Sequence, residues 1–217
     1  MPMVRLRLRR GKWRLVPRLV NFCWRLGLAV ENLRNVERRP SGAVLMTDKD
    51  PPHAAKTICG SGYNTAVSFV IRDFEPEDFE TLWRMDQECF PPGISYSKRE
   101  LRAYLGYRGA FTLVAVDTDS SEPQGFIVAQ GGNTGHIITI DVVAGARRLG
   151  VGSTLINAAE ERLRAKGCRA VDLETAVDNL GALSFYKRHG YSVIRTWPRY
   201  YSNGVDALVL EKLLNGA

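Results

Sequence analysis

A short basic glycine loop separates a strand-forming segment from a helix-forming segment in this 217-residue chain. Residues 136–143 are rich in β-branched side chains, which predicts a strand. Residues 153–166 carry apolar side chains at the spacing of one helix face, which predicts a helix; these are Leu155, Ile156, Ala159 and Leu163. The loop between the two segments reads Arg147-Arg148-Leu149-Gly150-Val151-Gly152.

This loop predicts a binding site for a phosphate group. A phosphate can approach the main chain closely at Gly150 and Gly152, which have no side chain. The first N–H groups of the helix and the helix dipole attract negative charge, and Arg147 and Arg148 add positive charge. A Walker A loop is excluded because no lysine follows Gly152, and Leu155 stands where a dinucleotide fingerprint has a glycine. A tight turn with solvated arginines is the alternative interpretation.

A second motif lies in residues 179–191, where a short helix ending at a glycine precedes a strand. Together with Arg-x-x-Gly-x-Gly it resembles the GNAT superfamily of N-acetyltransferases. The family pattern is Asn-x-x-Ala-x-x-x-Tyr-x-x-x-Gly-Phe/Tyr, which is matched in order by Asn179, Ala182, Tyr186, Gly190 and Tyr191. The resemblance covers about residues 68–213. Residues 135–150 and 199–207 further resemble the RimI-like branch, which acetylates protein N-termini.

The order of elements predicts an α/β (α+β) domain, with a mixed, mostly antiparallel twisted sheet flanked by helices. The resemblance implies the GNAT acyl-CoA N-acyltransferase fold. We expect this domain over residues 67–215, after a basic, poorly ordered N-terminal extension over residues 1–66. The predicted strands span residues 68–74, 111–117, 125–130, 136–143, 170–175, 191–196 and 206–212. The predicted helices span residues 76–89, 153–166 and 180–189, with another that begins at a Ser-Lys-Arg-Glu capping box after residue 96.

The positive charge is concentrated at the amino end of the chain. Residues 1–39 hold 11 Lys and Arg but 2 Asp and Glu, which leaves 19 basic and 21 acidic residues elsewhere. The basic segment predicts weak contact with nucleic acid or with a membrane surface. The alternative interpretation is a poorly ordered leader that precedes a true start at Met46. We expect no transmembrane segment, because no apolar run reaches the roughly 18 to 20 residues that a bilayer requires.

The cysteines and histidines predict neither disulfides nor a metal site. No Cys-x-x-Cys pair occurs, and no histidine stands at zinc-ligand spacing; the residues are Cys23, Cys59, Cys89 and Cys168, and His53, His136 and His189. We therefore expect free thiols, a cytoplasmic location and no bound metal.

The resemblance implies acetyl-CoA as the acetyl donor and a direct attack by the acceptor amine in a ternary complex. The diphosphate of acetyl-CoA would lie on the loop at residues 147–152, and the pantetheine arm of acetyl-CoA would pair with the main chain at Val142 and Val143. Asn179 and Tyr186 would form the far wall of the channel. An ordinary core position is the alternative interpretation of Tyr186.

Two side chains are predicted to be catalytic. The resemblance implies a base at the position of His136, whose reference pKa of about 6.5 suits proton transfer near neutral pH. It also implies a glutamate directly after Tyr186, where this chain has Lys187, so His136 or water is expected to take the proton. Tyr200 is the expected general acid. Tyr201 is the fallback, since successive residues of a strand face opposite sides and only one of the pair can point inward.

The acceptor is expected to be the N-terminal α-amino group of a protein. A lysine amine costs roughly 3 to 4 kcal/mol more to deprotonate at the same pH. The segment at residues 90–96, with Tyr96 as a peptide contact, and the turn at residues 202–205 are expected to line the acceptor groove, with no acidic patch. The alternatives are a lysine or small-molecule amine acceptor, a catalytically weak acetyl-CoA-binding module, and a nucleic-acid-associated protein.

Overall fold

The structure, a computed structural model, describes residues 68–214. In chain order, the elements of this range are β1 (Phe69–Asp73), α1 (Phe79–Cys89), α2 (Lys98–Leu105), β2 (Ala110–Asp117), β3 (Pro123–Gln130), β4 (Gly135–Val142), α3 (Val151–Ala165), β5 (Ala170–Ala176), α4 (Leu180–Arg188), β6 (Ser192–Trp197) and β7 (Ala207–Leu213). The predicted N-terminal extension and its basic segment lie outside the described residues. None of the helices in residues 68–214 is both long and apolar enough to cross a membrane.

The seven strands form one sheet in the order β1-β2-β3-β4-β5-β7-β6. Every neighbouring pair is antiparallel except β4 and β5, which are parallel because α3 carries the chain from the end of one strand to the start of the other. The predicted mixed, mostly antiparallel sheet is therefore confirmed.

The main hydrophobic core lies between α3 and the middle strands of the sheet. The apolar face predicted for α3 is fully buried, with Leu155, Ile156, Ala159 and Leu163 all at 0 % exposure. These side chains pack in one cluster with residues of β2, β3, β4 and β5, including Ile127, Ile137 and Leu173. Burial of this apolar surface fixes α3 and its N-terminal loop against β4.

The predicted start of α2 is confirmed in detail. Ser97 is the N-cap, and its hydroxyl accepts the N–H of Glu100 at 3.3 Å, while the Glu100 carboxylate accepts the Ser97 N–H at 2.9 Å. These two bonds satisfy donors that the first helical turn leaves without a partner. The predicted helix at residues 76–89 begins instead with a 3₁₀ turn at Pro76–Asp78, and α1 follows from Phe79.

Candidate active site

The central feature of the site is a gap between β4 and β5. The two strands are paired only from Gly135 to Ile137 on β4 and from Val171 to Leu173 on β5. Beyond these residues β4 continues along β3, and β5 continues along β7. The sheet therefore opens along the remainder of β4, where main-chain groups that would bond a neighbouring strand face the gap.

The end of β4 shows which main-chain groups are available there. The N–H of Val143 donates to Gln124 at 3.0 Å, on the β3 side of the strand. The preceding residue, Val142, points its N–H and C=O to the other side, toward the gap. Its oxygen accepts the Arg147 Nε–H at 3.0 Å and the Cys89 thiol at 3.4 Å. Of the two valines predicted to contact the donor, Val142 thus faces the gap, whereas the Val143 N–H is used within the sheet.

The predicted phosphate loop forms the N-terminus of α3. Gly150 is the N-cap, with a left-handed φ of 90° and no side-chain capping bond. The first helical bond runs from Thr154 N–H to the Gly150 oxygen at 2.9 Å, so the N–H groups of residues 151–153 have no acceptor within the helix. Open space surrounds Gly150, and a Cβ added at Gly152 would lie 3.4 Å from Phe185 on α4.

The two loop arginines differ in their surroundings. Arg148 is exposed and adopts a φ of 64°, a conformation that is uncommon for a residue with a side chain. Arg147 is also exposed, but its guanidinium turns back to the Val142 oxygen and the Cys89 sulfur. Burial and the nearby Asp141 raise the pKa of the Cys89 thiol, while Arg147 opposes the rise. Open N–H groups, two guanidinium charges and the absence of a Cβ at Gly150 together fit the diphosphate of coenzyme A.

The motif on α4 has structural roles that are evident in the contacts. The side chain of Asn179 caps α4 by accepting the Ala182 N–H at 3.1 Å. Tyr186 is buried in the main core, edge-on to Phe185 and Tyr191 at centroid distances of 5.4 and 5.6 Å. Burial raises the pKa of Tyr186 far above its ordinary value, and the proximity of Tyr201 and Asp141 raises it further.

His136 meets two carboxylates that the sequence interpretation missed. Its Nδ1 lies 2.5 Å from Asp172 Oδ1, and its Nε2 lies 3.5 Å from Glu174 Oε2. All three side chains are largely buried, at 15 %, 16 % and 10 % exposure. Alternation along β5 could have placed Asp172 and Glu174 on one face, because Leu173 between them and Val171 before them are core residues. An acidic cluster is thus present where none was expected.

Lys187 does not occupy this cluster. Successive helical residues point about 100° apart, so the residue after the buried Tyr186 faces away from the core, and Lys187 is exposed on α4. Although position 187 holds no glutamate, the gap still has a carboxylate. Glu174 supplies it, directly beyond the last paired residue of β5.

Both tyrosines of the predicted pair point inward. Tyr200 and Tyr201 are buried and pack edge-on, with ring centroids 5.1 Å apart. The expectation that only one would face the interior was wrong because they lie in the β6–β7 loop, after Arg199 at a φ of 48°, and do not alternate as strand residues do. They share a cluster with Ala176, which lies two residues after Glu174 and so faces the same side of β5.

The two segments predicted to line the acceptor groove do meet. Ser202 Oγ donates to the Gly93 oxygen at 3.0 Å, which joins the β6–β7 loop to the α1–α2 loop. Tyr96 lies at the end of the latter loop, and its hydroxyl donates to the Ile138 oxygen on β4 at 3.2 Å. Aromatic side chains from both loops therefore border the opening of the sheet.

Comparison with known proteins identifies the fold. The profile of the Acetyltransferase (GNAT) family matches residues 79–191. The chain belongs to this family. Its sequence is 33% identical over 118 residues to N-alpha-acetyltransferase 30 of Schizosaccharomyces pombe, a match that covers 52% of this chain and 77% of that relative. The predicted family and fold are confirmed.

Solved GNAT structures share the same arrangement. Ard1 from Thermoplasma volcanium superposes with a TM-score of 0.62 and 28% identity, over 68% of this chain and 99% of that one. The NatC complex bound to Gag peptide and CoA includes a chain that superposes with a TM-score of 0.60 and 26% identity, over 68% of this chain and 99% of that one.

Proposed function

We propose that this GNAT enzyme transfers the acetyl group of acetyl-CoA to the N-terminal α-amino group of a protein, in the manner of a RimI-like acetyltransferase. The observation that carries the proposal is the gap between β4 and β5, which has an open helix N-terminus at one end and the His136–Glu174 pair at the other. Relatives named N-alpha-acetyltransferase support the acceptor class, as does the NatC complex with peptide and CoA.

The donor end of the gap is suited to bind and orient acetyl-CoA, which supplies an acetyl group activated as a thioester. The open N–H groups at the start of α3 hold the diphosphate, aided by Arg148. Arg147 adds its positive charge to the diphosphate site when its guanidinium leaves the Val142 oxygen. Once released, the Val142 main chain offers both a donor and an acceptor toward the gap.

At the other end, the carboxylate and imidazole take up the proton that the acceptor ammonium must lose. Glu174 lies directly where the strands separate, and His136 lies beside it within the paired part of the sheet. Tyr200 is the proposed general acid, because a phenol with a reference pKa of about 10 can return a proton to a departing thiolate. The buried carboxylates also favour a cationic amine as the entering group.

An α-amine is the preferred acceptor on energetic grounds. Its reference pKa lies about 2.5 units below that of lysine, which lowers the cost of deprotonation by roughly 3 to 4 kcal/mol. The aromatic loops around Tyr96 and Tyr200 offer apolar surface to the first residues of a peptide. The alternative of a catalytically weak acetyl-CoA-binding module depends on the missing glutamate at position 187, and Glu174 offers a carboxylate at the gap instead.

We further propose that the basic segment at residues 1–39 makes weak contacts with nucleic acid or an anionic membrane surface, and that the enzyme works in the reducing cytoplasm. The excess of positive charge in that segment supports the first proposal, and the free thiols of Cys89 and Cys168 support the second. Affinity for such a surface should fall with added salt and be lost when residues 1–45 are deleted.

A direct test uses the full chain, labelled acetyl-CoA, and peptides with free or acetylated N-termini. Label on the free N-termini supports the proposal, whereas label only on internal lysines or on small amines contradicts the acceptor class. His136→Ala, Glu174→Gln and Tyr200→Phe should each lower kcat by about 100-fold or more, because general acid–base catalysis contributes roughly that much. Lys187→Ala is the control, since this exposed side chain lies outside the acidic cluster.

A further inference from the structure

The setting of His136 differs on its two sides. On β5, Asp172 is its direct Cα partner and faces Nδ1, while Glu174 is the diagonal neighbour and faces Nε2. On β3 the partner is Gln130, a neutral residue whose amide donates to the Arg108 oxygen at 3.1 Å. The imidazole therefore connects one carboxylate inside the paired sheet with another at the edge of the gap.

The short contact to Asp172 determines which ring nitrogen carries the proton. A carboxylate accepts hydrogen bonds and does not donate them, so a nitrogen 2.5 Å from it must be the N–H donor. In a neutral imidazole the other nitrogen, Nε2, then has the lone pair. Because Nε2 is the nitrogen that faces Glu174, this tautomer can receive a proton from Glu174, and the opposite tautomer cannot.

We propose that Asp172 is a positioning residue that holds the Nδ1–H of His136 and so keeps the Nε2 lone pair directed at Glu174. The inference rests on the proposed function for its catalytic consequence. The N–H bond of the acceptor ammonium breaks as an O–H bond forms on Glu174. That O–H bond then breaks as an N–H bond forms at Nε2, and Asp172 balances the charge of the imidazolium. The proton finally leaves Nε2 to water, which restores the starting state.

The tautomer can be measured without any substrate. In the ¹⁵N-labelled full chain, long-range ¹H–¹⁵N spectra in alkaline buffer distinguish the protonated from the unprotonated ring nitrogen. The chain has three histidines, so His136→Ala assigns the signals. The contact with Asp172 predicts a protonated Nδ1 and an unprotonated Nε2 for His136. A wild-type His136 with its proton on Nε2 overturns the proposal.

Substitution of Asp172 tests whether this residue sets both the His136 tautomer and the rate of acetyl transfer. Because an amide can either donate or accept, Asp172→Asn should admit the Nε2–H tautomer and lower kcat for a peptide acceptor about 10- to 100-fold, with little change in the KM for acetyl-CoA. Asp172→Glu should keep the native tautomer and recover part of the rate. A purely structural role would lower the rate without moving the tautomer, so an Asp172→Asn variant with the wild-type tautomer contradicts the proposal.

The matched control is Glu211→Gln, which neutralises the residue directly opposite Asp172 on β7. It should leave both the His136 tautomer and kcat unchanged, and an equal effect of both substitutions would contradict a specific role for Asp172. Failure of the wild-type enzyme to acetylate any peptide would refute the proposed function. The tautomer spectra would still decide whether Asp172 positions the ring.

Discussion

The hydroxyl of Tyr96 donates a hydrogen bond of 3.2 Å to the main-chain oxygen of Ile138. Ile138 is the bulged residue of β4, because Val128 on β3 pairs with Thr139 and the next residue of β3 pairs with Ile137. The main chain of Tyr96 is in turn held by α1, where the Asp86 carboxylate accepts its N–H at 2.7 Å. Tyr96 therefore ties α1 to the point at which β4 leaves β5.

Tyr96→Phe should lower the free energy of unfolding by about 1 kcal/mol, since it removes one hydrogen bond and leaves the Ile138 oxygen with one donor fewer. The ring contact with Tyr104 is retained. Urea denaturation measures the change. Lys98→Ala, which breaks an exposed ion pair with Glu80, is the control and should have a much smaller effect. Equal stability of Tyr96→Phe and the wild type would contradict this role.

Gly150→Ala and Gly167→Ala form a matched pair. Both glycines have left-handed φ angles, of 90° and 86°, and an added Cβ would contact nothing within 4 Å at either position. Each substitution should therefore cost about 1 to 2 kcal/mol of stability through backbone strain alone. Only Gly150→Ala should also weaken acetyl-CoA binding, because its Cβ would enter the space before the α3 N–H groups. Calorimetric titration measures the affinity; an equal loss in both variants would refute the loop as the diphosphate site.

The sequence predicts the parts of the fold that depend on local patterns. The core face of α3 follows from helical spacing, and the cap at Ser97 follows from a residue that bonds its own helical turn. The phosphate loop could be recognised for the same reason, since its strand, glycines and helix are adjacent in the chain. The predicted bounds of the helices and strands differ from the observed ones by no more than three residues.

Features that depend on contacts between distant segments were not predictable in the same way. Asp172 meets His136 only because β4 and β5 pair in one particular parallel register across the whole of α3. The bulge at Ile138 shifts which β4 residues face the core, and no local pattern marks it. The left-handed Arg199 ends the alternation of a strand before Tyr200. The expectation that only one of Tyr200 and Tyr201 points inward assumed such alternation and was therefore wrong.

Glu160 should be the most sensitive charged residue of α3. Its buried carboxylate accepts the Tyr191 hydroxyl at 3.0 Å and the Lys212 ammonium at 2.5 Å, so its removal leaves two polar groups without their acceptor. Glu160→Leu should lower the free energy of unfolding by about 2 to 4 kcal/mol, since a broken buried ion pair is costly. Glu161→Leu, at the exposed neighbouring position, is the control. Urea denaturation midpoints of Glu160→Leu and Glu161→Leu that agree within error would contradict the prediction.

The stability of the domain should fall in alkaline solution because of two buried tyrosines. Burial raises the pKa of Tyr186 and of Tyr191 well above the ordinary value of about 10, and the Glu160 carboxylate raises that of Tyr191 further. Above that pH the unfolded tyrosines ionise while the folded ones retain their protons. The stabilisation is therefore complete below about pH 10 and is lost as the pH rises toward the folded pKa values.

Melting temperatures measured between about pH 8 and pH 11 test this dependence, with tyrosinate absorbance as a second measurement. Tyr191→Phe and Tyr186→Phe should each make the decline shallower, because each removes one group whose proton affinity differs between the folded and unfolded states. Tyr191→Phe should also lower stability at neutral pH, since it leaves Glu160 with Lys212 alone. A decline as steep in the variant lacking both hydroxyls as in the wild type would contradict the assignment of the alkaline loss to these two tyrosines.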